Sequence, residues 1–92
     1  MPHRGRILIV DDESNARAAL SEILRDEGYS TETAADGFKA LGKLDEFTPD
    51  VILTDLKMPG LDGIAFMEKA RTAAPGAVFV VMTAFGTISS AV

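Results

Sequence analysis

Short apolar runs alternate with stretches of helical periodicity along the chain. Ile7-Leu8-Ile9-Val10 is unbroken and rich in β-branched residues. Such a run predicts a strand buried on both faces, as in a parallel sheet. From Glu13 to about Glu27, apolar Ala16, Leu20, Ile23 and Leu24 recur at helical spacing, with Arg17, Glu22 and Asp26 on other faces. Asp12 or Ser14 suits the N-cap of that helix, and Gly28 its left-handed C-terminal position. Tyr29 to Ala34 alternates and predicts a short strand.

Asp36 is the expected N-cap of a second helix, with Phe38, Leu41 and Leu44 as its apolar stripe. Val51-Ile52-Leu53 predicts the next buried strand. Lys57 to Gly63 holds Pro59, Gly60 and Gly63 and predicts a loop. A third helix is expected over Ile64 to Ala73, with Ile64, Met67 and Ala70 inward. Pro75-Gly76 predicts a turn, Ala77 to Met82 a fourth strand, and Gly86 onward the start of a fourth helix. The βα alternation predicts a three-layer α/β fold, an open parallel sheet with helices on both faces.

Length and composition narrow the picture. The 92 residues, without internal repeat, make one small domain. Hydrophobic residues are 47% of the chain, enough for a core. The absence of cysteine excludes disulfides and thiolate metal sites and fits a reducing compartment. The run at Ile7 is too short for a signal-peptide core or a membrane span, so a cytoplasmic location is expected. The net charge of −5, with scattered basic residues, argues against direct nucleic-acid binding.

The acidic residues change the picture most. Asp11 and Asp12 follow the first predicted strand, Asp55 the third, and Thr83 the fourth. In an open parallel sheet the carboxyl ends of the strands share one edge, and ligands bind there where strand order reverses. Carboxylates brought together resist joint ionisation unless a cation is present. The candidate ligands are all oxygens, since the lone His3 lies on the N-terminal tail. Oxygen-only coordination with few protein ligands fits Mg²⁺, which often binds beside phosphate. In such a pocket an Asp carboxylate can act as nucleophile toward a phosphoryl donor. Taken singly, the same residues also suit ordinary roles: strand-end or capping aspartates, a turn aspartate, a capping threonine. Their coincidence at equivalent strand ends favours the pocket.

These residues resemble a response-regulator receiver domain of two-component signalling, with the flavodoxin-like receiver fold. The resemblance spans residues 1–92. It rests on Ile7-Leu8-Ile9-Val10-Asp11-Asp12-Glu13, on Ala35-Asp36-Gly37 with Ala40-Leu41, on the block from Pro49 through Thr54-Asp55-Leu56-Lys57-Met58-Pro59-Gly60 to Gly63, and on Val80-Val81-Met82-Thr83-Ala84. It implies that Asp55 is the phosphoacceptor and that Mg²⁺ is held by Asp12, Asp55 and the backbone carbonyl of Lys57, with Asp11 joining the ligand set or orienting a metal-bound water. Thr83 would contact a phosphoryl oxygen and carry the switch, with the Ala84 amide nearby. The implied donor is a sensor histidine kinase, and the receiver itself catalyses transfer and later hydrolysis. The stretch from Thr83 to Val92 resembles the receivers of sigma-fifty-four-dependent enhancer-binding activators. That likeness implies an AAA+ ATPase and a helix-turn-helix domain as outputs in the parent chain.

One departure stands out. Receivers carry a lysine after a fifth strand, a switch aromatic and a fifth helix, whereas no lysine follows Thr83 here. The expectation is therefore a receiver cut short at its C-terminus, with the fifth strand and fifth helix absent. Such a chain is expected to self-associate as a homodimer through an uncovered sheet edge or the fourth-helix region. Two other functions compete. One is a receiver-like binding module without phosphotransfer. The other is a haloacid-dehalogenase-type phosphatase, which expects Asp-x-Asp rather than the adjacent Asp11-Asp12.

Overall fold

A computed structural model describes residues 5–55, 63–83 and 86–90, with 55, 63, 82, 83 and 86–90 described by their backbone. The chain runs β1 (Arg6–Val10), α1 (Ser14–Asp26), β2 (Ser30–Ala34), α2 (Gly37–Phe47), β3 (Val51–Asp55), α3 (Gly63–Ala73), β4 (Val78–Thr83) and β5 (Gly86–Ser90). The strands form one sheet in the order β2-β1-β3-β4-β5. β1 pairs in parallel with β2 and with β3, and β3 pairs in parallel with β4. The chain thus moves from β1 to one side, then returns to its other side, so strand order reverses between β1 and β3.

Helices lie on both faces. Successive strand residues point to opposite faces, and β2 shows the division directly. The Thr31 hydroxyl lies 2.8 Å from that of Ser21 on α1, whereas Glu32 pairs with Lys43 on α2. The main core sits under α2 and α3. It joins Leu8, Val10, Ile52 and Phe79 from the strands to Ala40, Leu44, Phe66 and Ala70 from the helices.

Helix ends follow local chemistry. Asp36 caps α2 as expected, its Oδ1 accepting from the Lys39 amide at 2.8 Å. At the end of α1, Gly28 has φ +99°, and the Tyr29 amide bonds back to the Leu24 carbonyl at 3.1 Å. This is the left-handed stop that glycine adopts without strain. The N-cap of α1 is Glu13, not Asp12 or Ser14, and its side chain makes no capping bond.

Three inward assignments are corrected. Ile23 is 59% exposed, and the one buried residue of α1 is Ser21. The helix lies over β1 and β2, where the threonine row of β2 offers hydroxyl rather than hydrocarbon, so a serine fits under it. Phe38 is 62% exposed. The buried positions of α2 are Gly37, Ala40 and Leu44, and Phe38 stands about 100° round the helix from Gly37. Ile64 is 55% exposed because Phe66 and Ala70 take the inward positions of α3.

The fourth helix is also corrected. Gly86–Ser90 is a strand antiparallel to β4, in a register running from Thr83↔Gly86 to Phe79↔Ser90. Thr87 and Ile88 are β-branched and suit a strand. β4 would otherwise present a row of unpaired backbone groups, and an antiparallel neighbour needs only a hairpin connection. The sheet therefore has four parallel strands and one antiparallel edge strand.

Candidate functional site

The ladder register brings the predicted residues to one edge. Val10 is level with Thr54, so Asp11 and Asp55 each stand one residue beyond the paired positions of β1 and β3. Neighbouring strands lie about 4.8 Å apart. Asp55 is level with Met82, and Thr83 follows on β4. These ends flank the point between β1 and β3 where strand order reverses, the place where open α/β sheets bind ligands.

The two adjacent aspartates differ sharply. Asp11 is 7% exposed, whereas Asp12 is exposed. The Asp11 amide donates to the Ala34 carbonyl of β2 at 3.1 Å, which extends the ladder by one residue. Its Oδ1 accepts from the Glu13 amide at 2.9 Å, and its carbonyl accepts from Nη1 of Arg17 at 2.7 Å. The turn into α1 is thus tied at amide, side chain and carbonyl. Thr54, fully buried beside Val10, backs the same edge.

Asp11 and Asp12 supply oxygen donors next to the end of β3, a donor chemistry that suits a hard cation such as Mg²⁺. Among the described residues no three carboxylate or histidine side chains converge on one point. The side chains of Asp55 and Thr83, and residues Lys57 and Ala84 altogether, lie outside the described residues, as does the predicted loop from Lys57 to residue 62. Helical spacing puts Arg17 off the apolar face of α1. The structure shows it half-buried and turned back onto Asp11. The sequence signal for this was faint: a cationic residue one turn into a helix that directly follows an acidic strand end.

Residues 7–92 match the family described as the response regulator receiver domain. The chain belongs to that family. It is 39% identical over 83 residues to sporulation initiation phosphotransferase F of Bacillus subtilis, covering 90% of this chain and 67% of the relative. It is 36% identical over 89 residues to the DNA-binding transcriptional regulator NtrC of Salmonella typhimurium, covering 97% of this chain and 19% of that protein. The receiver thus spans about a fifth of that regulator's length. Among solved structures, the response regulator TrrA of Thermotoga maritima in complex with Mg(2+)-BeF superposes with a TM-score of 0.79 at 39% identity. The match covers 86% of this chain and 69% of that one. Among the described residues of this receiver, no helix is long and apolar enough to cross a membrane.

Proposed function

We propose that this receiver is a phosphorylation-driven switch in which Asp55 accepts a phosphoryl group from a sensor histidine kinase. The observation that carries the reading is the register: Asp11 and Asp55 stand side by side at the strand-order reversal, with Asp12 next in the chain. In the transfer, a carboxylate oxygen of Asp55 attacks the phosphorus of the kinase phosphohistidine. The phosphorus–nitrogen bond breaks, its electron pair stays on the imidazole nitrogen, and that nitrogen takes up a proton. Hydrolysis of the resulting acyl phosphate by water returns Asp55 and inorganic phosphate.

Asp11, Asp12, Asp55 and the Lys57 carbonyl would hold Mg²⁺. The bound ion offsets the clustered carboxylate charge and the charge on the transferring phosphoryl oxygens. Thr83 donates its hydroxyl to a phosphoryl oxygen, and the Ala84 amide donates beside it. The phosphoryl group then biases an equilibrium between two arrangements of this edge. The readout passes to an output domain of the parent protein, a transcription-activating one by similarity to NtrC, with AAA+ and helix-turn-helix parts. Residues 1–92 act as the receiver domain of that cytoplasmic protein. Pairing with a second copy would use a sheet edge, and sedimentation velocity at rising concentration tests that contact.

The phosphatase reading expects Asp-x-Asp after the first strand, whereas Asp11 and Asp12 are adjacent. The deciding experiment incubates the complete receiver domain of the parent protein with Mg²⁺ and acetyl phosphate and follows acyl-phosphate formation. The wild type is expected to incorporate phosphate and Asp55→Ala none. Equal incorporation by the two proteins defeats the reading.

A further inference from the structure

We propose that Arg17 is a positioning residue for the acidic pair, holding the Asp11–Asp12 turn in the shape that binds a divalent cation. The proposal rests on the reading of Asp11 and Asp12 as cation ligands. Nη1 of Arg17 donates to the Asp11 carbonyl at 2.7 Å from a half-buried position. That carbonyl shares one peptide plane with the Asp12 amide. Fixing its oxygen therefore fixes the direction in which the chain enters Asp12. The bond from the Asp11 amide to Ala34 and the bond from the Glu13 amide to Oδ1 act on other groups of Asp11.

The placement of Arg17 supports a specific role. Its own amide makes the first backbone bond of α1, to the Glu13 carbonyl at 3.1 Å. A cation so near a helix N-terminus is unfavourable, because that end carries partial positive charge. The first turn of α1 itself holds no acidic residue and Glu13 makes no side-chain cap, but Asp11, Asp12 and Glu13 directly precede it. These carboxylates and the carbonyl bond offset the end charge, and a rigid guanidinium is well suited to hold such a bond.

Charge and clamp predict opposite signs, which makes the idea testable. Arg17 is a positive charge beside a proposed cation site, so removing it by electrostatics alone tightens Mg²⁺ binding. Removing a clamp on the ligand turn loosens it. Mg²⁺ titration by calorimetry of the 92-residue chain compares wild type, Arg17→Met and Arg17→Lys, and hydrogen exchange at the Glu13 amide is measured without metal. Arg17→Met is expected to bind Mg²⁺ roughly 10-fold more weakly, in the range seen for groups that orient ligands, and to exchange faster at Glu13. Arg17→Lys is expected to recover part of both, since an ammonium can donate to the same carbonyl. Tighter or unchanged binding in Arg17→Met overturns the proposal. Should Arg17→Met not fold, Arg17→Lys decides: wild-type values for both affinity and exchange overturn it. Should the wild type bind no Mg²⁺, the ligand reading itself fails, and unchanged Glu13 exchange in the variants then overturns the clamp as well.

Discussion

Lys43 reaches from α2 across to β2, where its Nζ lies 3.0 Å from Oε1 of Glu32 and donates to the Thr33 carbonyl at 2.6 Å. The Lys43 hydrogen bond, aided by the Thr33 amide and by the charges of Lys43 and Arg25, holds the Glu32 carboxyl below its usual range. A depressed carboxylate pKa stabilises the fold above the unfolded-state value and is lost as pH falls through the folded one. Both side chains are more than a third exposed, so solvent screening keeps the effect small, about 0.5 kcal/mol. Urea unfolding of Glu32→Gln is expected to show that deficit at neutral pH and almost none in acid, below the folded-state pKa. A deficit that does not change with pH rules out the ionic origin.

The cap of α2 predicts a second effect. Asp36 satisfies the Lys39 amide, one of the donors that a helix N-terminus leaves open. Asp36→Ala is expected to lower stability by about 1 kcal/mol, and Asp36→Asn by much less. Urea midpoints of the two variants check this; equal losses would show that the bond is not the cause.

Two phenylalanines should behave oppositely. Phe66 is fully buried among strand and helix residues, whereas Phe38 is mostly exposed. Phe66→Ala is expected to cost about 3–5 kcal/mol, a large share of a small domain's stability. Phe38→Ala should stay within about 0.5 kcal/mol. Thermal melts followed by circular dichroism separate the two, and a large loss in Phe38→Ala would mean that its face is covered in solution.

The proposed cation site makes a fourth prediction. A ligand that binds only the folded state stabilises it by about 2.7 kcal/mol at a hundredfold excess over its dissociation constant. Saturating Mg²⁺ is expected to raise the melting temperature of the wild type and to have little effect on Asp12→Asn. An equal rise in both proteins removes Asp12 from the ligand set.

Much of this molecule was legible in its sequence. The apolar runs at Ile7, Val51 and Val78 lie in strands, and that of β1 is buried on both faces while β3 and β4 alternate buried with more exposed positions. The dipeptide Asp11-Asp12 and the dyad Thr54-Asp55 stand at strand ends because strand length is set by those same runs, and parallel polarity then sends both ends to one edge. Asp36 and Gly28 mark helix ends through bonds to residues three to five positions away, which sequence spacing shows directly.

What the sequence by itself determined, then, was the elements from β1 to β4, their polarity and the edge that collects the carboxylates, because each depends on contacts between near neighbours or on strict periodicity. Only the tertiary structure decided that Ser21 rather than Ile23 faces the sheet, that Arg17 turns back onto Asp11, and that Gly86–Ser90 pairs as a strand. Those outcomes depend on what lies across the gap: the threonine row of β2, the carbonyl at the end of β1, and the edge that β4 offers for pairing. Spacing along a chain encodes which side chains share a face, but not what that face will meet.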